Sequence, residues 1–285
     1  MKHKTALTII IPLIFILALI AASAGVFYKT AGEPYPFTSH RGDIVMINAH
    51  GLYFYDTVSS AAQQQGNDVV TLFVALPLLV ISTWMTLRSS LRGRLLLTGT
   101  IGFFLYTYLS MCMLTAFNAL FLVYVAIFGL SLYAFILCMM SFDLETLPRH
   151  FSDRLPRGWI ASLLFVIGAF LSLSWLMRVL SPLMQYTPPL LDNATSMVIQ
   201  AMDLSLIVPL AVLSGILLLR RSAWGYLLTS VFVLKAIALG LAVSAMVVNM
   251  TLAGMPEGAG IAIPFIVITA LNLLAAVSLW KNVQE

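Results

Sequence analysis

Charge is what this chain most lacks. Charged side chains make up 9% of its 285 residues, and hydrophobic ones 61%. A soluble domain carries about 25% charge and about 45–50% apolar residues. So few charges could not cover the surface of a soluble chain this long, and so much apolar content excludes a disordered one. Cysteine is almost missing as well. Cys112 and Cys138 form no CxxC pair, which argues against a disulfide scaffold, a dithiol redox site or a zinc cluster. No Walker, GxGxxG or HExxH pattern occurs, so the chemistries that depend on those spacings are not indicated. No metal and no cofactor is expected. The net charge of +4 does not point to nucleic acid, because the basic residues sit at the ends of apolar runs, where they report orientation in a membrane.

Long apolar runs are what the chain has instead. A span needs roughly 20 apolar residues to cross about 30 Å of hydrocarbon. Eight runs qualify, at about 5–27, 69–88, 95–116, 119–141, 158–181, 196–219, 223–248 and 259–280. The fold expected is therefore an all-α polytopic integral membrane protein, one transmembrane helical domain over 1–285. Of its 15 lysines and arginines, only Lys29 and Arg41 fall on one side. Arg178 and Lys235 fall within spans, and the rest, from Lys2 and Lys4 to Lys281, fall on the other. The positive-inside rule then puts both termini in the cytoplasm, in an inner or plasma membrane. The first span follows a basic Met1–Lys4 start and ends near Ala22-Ser23-Ala24. Its apolar run exceeds the usual signal-peptide core of about 7–15 residues, so it reads as a retained anchor. The even number of spans permits a four-plus-four arrangement, but no repeat is visible.

The only long loop, 28–68, lies outside and reads as a structured cap. Ile44–Ile47 and Leu52–Tyr55 suggest two short strands around Asn48–Gly51. Asp56 suits the N-cap of a short helix over Thr57–Gln65, Gly66 its C-terminal residue and Asp68 the N-cap of the second span. Tyr28, Tyr35 and Phe37 suit the headgroup level. His40 and His50 read as ordinary surface histidines. The cytoplasmic loop 142–157 mixes charges and reads as a solvated turn or a docking patch. The segment around Pro182, Pro188 and Pro189 reads as a stiff external connector. Asn193-Ala194-Thr195 and Asn249-Met250-Thr251 are sequons on the outer side.

Ionisable groups at membrane depth cost roughly 2.5–3.5 kcal/mol on insertion scales, so Arg178, Asp203 and Lys235 demand a partner or a purpose. At 1.5 Å per residue, Asp203 lies about 10 Å below the outer end of its span and Lys235 about 20 Å from the outer end of its own. Gln200 lies one turn above Asp203. With Asp56 and Asp68 in the cap, these residues outline an outward-facing polar crevice between the fifth, sixth and seventh spans. Asp203 could equally pair with Lys235 or Arg178 to fix helix packing. Ala236, Gly240 and Ser244 form a small-residue stripe for close helix contact, and Pro12, Pro77, Pro209 and Pro264 can kink their spans. Asn272 suits an interhelical hydrogen bond.

Three functions are compatible with these residues. One is a carrier or binding protein for a small solute or lipid, using the crevice. The second is a non-catalytic subunit or assembly factor, its buried charges structural and its partner another protein. The third is a membrane-embedded enzyme on a lipid or isoprenoid substrate, against which stands the absence of any nucleophile motif or catalytic histidine pair. The balance leans away from an enzyme.

Overall fold

The computed structural model describes residues 4–187, 189, 191–255 and 258–285, and of 258–262 the backbone alone. Lys2 and Pro188 lie outside the described residues. Eight helices follow one another: α1 Lys4–Phe27, α2 Val58–Leu87, α3 Leu91–Leu114, α4 Phe121–Met140, α5 Arg157–Gln185, α6 Val198–Leu219 and α7 Ala223–Leu252, then α8 Gly258–Asn282. Each is long and apolar enough to cross a membrane. The chain is a multi-pass membrane protein.

Three helix limits differ from the sequence reading. Helix α2 begins at Val58, not near 69. Its first turns carry Gln64, Asn67 and Asp68, all polar and all buried. A hydropathy window scores them as loop, yet the surrounding helices enclose them. Asp68 is therefore mid-helix rather than an N-cap, and Gly66 ends nothing. A Cβ on Gly66 would lie 2.6 Å from the Met246 backbone nitrogen, so this glycine allows α2 and α7 to touch backbone to backbone. The cap of α2 is Thr57, whose hydroxyl accepts from Ser60 N at 3.1 Å. Helix α5 takes in Pro182 and α7 takes in the sequon at Asn249; both were expected in connectors.

The cap is a two-stranded ribbon, β1 Tyr35–Thr38 and β2 Ile44–Ile47, antiparallel with Tyr35 opposite Ile47. The expected partner of β2, 52–55, forms turns instead. The sequence reading places no strand at 35–38; Pro36 is tolerated there because the ribbon has an open edge. Segment 48–56 closes as a loop around Asn48, whose amide donates to the carbonyls of His50 and Tyr53 at 2.8 and 3.0 Å.

The eight helices are two sets of four. In the first, α1 packs on α2, α2 on α3, α3 on α4 and α4 on α1. In the second, α5 packs on α6, α6 on α7, α7 on α8 and α8 on α5. Between them α3 meets α7, α2 meets α7 and α6 meets α3, the exchange that a twofold axis between α3 and α7 would make. The sequence carries the same relation at one constant offset. Pro77, Ser82, Arg88, Ser90, Gly93 and Leu95 recur as Pro209, Ser214, Arg220, Ser222, Gly225 and Leu227. The joining turns match in detail. Ser89 and Arg221 hold positive φ of 65° and 54°, and Gly93 and Gly225 press against the backbone at Met85 and Leu217 respectively. Each set has an even number of helices, so the halves share one orientation and form a parallel duplication.

Both second helices break regularity at the same place. A π turn spans Thr71–Ala75 in α2 and Asp203–Ile207 in α6, just ahead of Pro77 and Pro209. Proline has no N–H and crowds the carbonyl four residues back. Widening the helix by one residue relieves that clash, and such π bulges are frequent at functional sites.

At the end opposite the cap the 142–157 loop exposes its charged side chains Asp143, Glu145, Arg149, Asp153 and Arg154 and anchors itself by its apolar ones. Leu147, Phe151 and Leu155 of the 142–157 loop are buried in the core of the second half. Ser152 N donates to Asn282 O at 2.8 Å and Gln284 N to His150 O at 2.7 Å. The Glu285 carboxylate accepts from Ser90 Oγ and Leu91 N, both at 2.8 Å, so it caps the start of α3.

Candidate functional site

Four helices bring one polar cluster together. Asp203 opens the π turn of α6 and is 6% exposed. Its Oδ1 accepts from the Tyr106 hydroxyl of α3 at 2.7 Å, and its Oδ2 from Trp175 Nε1 of α5 at 2.8 Å. Lys235 of α7 is 7% exposed. Its Nζ lies 4.0 Å from the centre of the Tyr106 ring and, enclosed as it is, makes no hydrogen bond. The carboxylate of Asp203 attracts it through space, but no hydrogen bond joins the two. The expected direct ion pair is thus replaced by a relay of contacts, Trp175 to Asp203 to Tyr106 to Lys235. Gly99 of α3 lets the backbone of α7 come close beside the lysine. A Cβ on Gly99 would meet Leu234 at 2.6 Å, and one on Gly102 would meet Lys235 Cγ at 3.7 Å.

Asp203 and Lys235 are enclosed by protein, where the sequence reading expects them on an open crevice. Arg178 lies on an exposed side of α5, one turn beyond Trp175, and Gln200 is half-buried one turn before Asp203. Asn272 bonds within its own helix, to Ile268 O at 3.0 Å, and its Oδ1 has no partner. Gly240 of the small-residue stripe packs against Thr269 of α8.

The two loop carboxylates sit elsewhere, in the first half. Asp68 is 1% exposed. Its Oδ2 accepts from the Tyr53 hydroxyl, while its Oδ1 has no partner. Gly25 of α1 makes the space, because a Cβ there would collide with this carboxylate. Tyr108 of α3 and Tyr124 of α4 lie within reach of its charge, their rings 6.1 Å apart. Asp56 is also buried. It accepts from Ser60 Oγ at 2.9 Å and from Ala116 N at 3.1 Å. Burial pushes its carboxyl up to about 6, against the opposing pull of those two donors. Burial and the neighbouring Asp68 raise the Tyr53 hydroxyl far above its usual range, so it remains a donor.

The cap also crosses to the second half. Arg41 donates to Ala194 O at 2.9 Å, and the Thr57 hydroxyl donates to the Asp192 carboxylate. The 28–57 segment is therefore tied to the α5–α6 connector, above both clusters.

The sequence reading gives no role to Tyr106, Trp175, Tyr108 or Tyr124 and places Tyr53 only in an expected strand. The usable signal is depth. Tyr106 lies about 12 Å inside its helix, away from the headgroup belt, where a tyrosine hydroxyl needs a protein partner. No protein-family model, curated protein or solved structure matches the chain.

Proposed function

We propose that the protein is a membrane carrier or binding protein for a small solute or lipid whose anionic or strongly accepting group docks on Lys235. The observation that carries this reading is the Lys235 ammonium, enclosed between α3 and α7 without a hydrogen-bond partner. A buried charge left unpaired costs several kcal/mol. The Asp203 oxygens are already occupied by Tyr106 and Trp175, so the unused valence at the cluster is cationic. Tyr106 and Trp175 would give an apolar ligand body flat surfaces to lie on. The duplicated halves, with polar groups at helix irregularities near their junction, resemble the way transporters place midplane sites. The tie between cap and connector through Arg41 would open to admit a ligand from the outer face.

The test is thermal unfolding of the purified protein in detergent against mono- and dicarboxylates, phosphorylated metabolites and anionic lipids. A concentration-dependent shift in the wild type, lost in Lys235→Met, is expected. An anion series that leaves wild type and variant alike would overturn it.

A second reading is favoured by the saturated Asp203. With Tyr106 from the first half and Trp175 and Asp203 from the second, the cluster would be a clasp between halves in a non-catalytic subunit. Its signature is loss of folded yield in both Lys235→Met and Asp203→Asn, with recovery in the double variant.

A further inference from the structure

We propose that the enclosure around Asp68 is a loading site for one monovalent cation, a proton or a sodium ion, supplied from the cap end. It is separate from the Lys235 cluster and does not depend on that cluster's function.

Asp68 is the most enclosed carboxylate among the described residues, at 1% exposed. A single neutral donor, Tyr53, serves it, and Oδ1 has no partner. An ionised carboxylate in low dielectric needs a proton, a cation or several donors. Two further buried oxygens of the first half have the same deficiency. The Tyr108 hydroxyl, 0% exposed and within range of the Asp68 charge, has no partner, nor has Thr71 Oγ1. Thr71 lies three residues after Asp68, on the same helix face, where the π turn begins. Unpaired buried oxygens are rare in folded proteins and call for an explanation. An unpaired Oδ1 on Asp68 and an unpaired Tyr108 hydroxyl within range of its charge, with Thr71 on the same helix face and no Lys, Arg or His among the contacts found for Asp68, give a site that is short of positive charge.

The other elements packed on this site contribute no cation. Helix α1 presents Gly25, α3 presents Tyr108, α4 presents Tyr124, and α7 meets α2 through backbone at Met246. The remaining carboxylate in the neighbourhood, Asp56, lies toward the cap and acts on Tyr124. A route to the cap end is built from side chains. Asn118, in the α3–α4 connector, donates to the Tyr124 hydroxyl at 3.4 Å. Tyr124 lies beside Tyr53, which donates to Asp68. A proton relayed along this route would pass from the Tyr53 hydroxyl to Asp68 Oδ2, to which it already donates, with Tyr53 reprotonated from the cap side. A sodium ion would take Oδ1 with the Tyr108 and Thr71 hydroxyls as oxygen ligands.

The experiment uses the full chain in detergent, as wild type, Asp68→Asn, Tyr108→Phe and Lys235→Met. Thermal unfolding is measured in sodium chloride against choline chloride at equal ionic strength, and the infrared carbonyl band of a protonated carboxylic acid is recorded. A saturable rise of a few degrees in sodium, abolished in Asp68→Asn, reduced in Tyr108→Phe and kept in Lys235→Met, identifies sodium. No sodium response, with a carboxylic-acid band in the wild type that Asp68→Asn removes, identifies the proton. If neither signal depends on Asp68, the proposal is overturned. Should Asp68→Asn not fold, the wild-type sodium series, with its loss or retention in Tyr108→Phe, and the infrared band of the wild type recorded well above pH 6, where Asp56 is ionised, decide. Failure here leaves the Lys235 reading intact, because Lys235→Met reports on that cluster separately.

Discussion

Replacing Lys235 with methionine should stabilise the protein, and the size of the effect follows from its surroundings. An ammonium at mid-membrane costs about 2.5–3.5 kcal/mol. The face of Tyr106, 4.0 Å away, returns about 2 kcal/mol when desolvated. Attraction to the Asp203 carboxylate, whose charge the neutral donors Tyr106 and Trp175 leave in place, offsets a further part of that cost. The lysine is thus left with a net cost of at most about 1 kcal/mol. Methionine keeps the length and the apolar contact with Gly102 while removing the charge. The expected result is a rise of about 2–4 °C in Tm, measured by scanning fluorimetry in detergent, together with loss of any anion response. Such a gain in stability at the expense of binding is usual where a polar group is retained for function. A structural ion pair gives the opposite sign. Breaking one would lower stability by about 3–5 kcal/mol, and a fall in Tm of that size would refute the reasoning.

Stability should decline as pH rises through about 6. Folding raises the Asp56 carboxyl, so the folded protein holds this proton more tightly than the unfolded chain. That contribution is complete below pH 3.8, the value outside the fold, and is lost as pH rises past the folded value of about 6. It amounts to at most about 3 kcal/mol, and Asp56→Asn should flatten the Tm profile between pH 4 and pH 7. Gly66→Leu should drive α2 and α7 apart, since even a Cβ would sit 2.6 Å from Met246 N; a cost of at least about 1–3 kcal/mol would show as reduced monodisperse yield. Trp175→Phe removes one donor from Asp203 and should destabilise by about 1–3 kcal/mol, read by chemical unfolding. An unchanged midpoint would mean that Nε1 does not hold the carboxylate.

Particular residues show why the sequence could be read only so far. Spans such as Phe121–Met140 are legible because the bilayer is a uniform solvent that averages over a window. The start of α2 is not, because Gln64, Asn67 and Asp68 are satisfied or enclosed by neighbours that no window contains. The duplication escaped notice for a related reason. Its identities cluster in the turns around Arg88 and Arg220, where backbone shape restricts the choice of residue, and are diluted along lipid-facing stretches where any apolar side chain serves. Lys235 and Asp203 stood out as costly. Tyr106, which joins them, did not, since an aromatic in a span has an ordinary explanation until its hydroxyl is placed.

The amino-acid sequence by itself determined that the chain carries eight segments long and apolar enough to cross a membrane and which few residues are out of place there. Both follow from transfer free energies, which are properties of single side chains and short segments. Tertiary structure alone decided who meets whom: that Asp203 is served by Tyr106 and Trp175 while Lys235 is left unpartnered, that Asp68 lies in a separate enclosure of tyrosines, and that the halves repeat about α3 and α7. Those outcomes depend on contacts between distant segments, fixed by glycine-sized clearances that only the packed helices reveal.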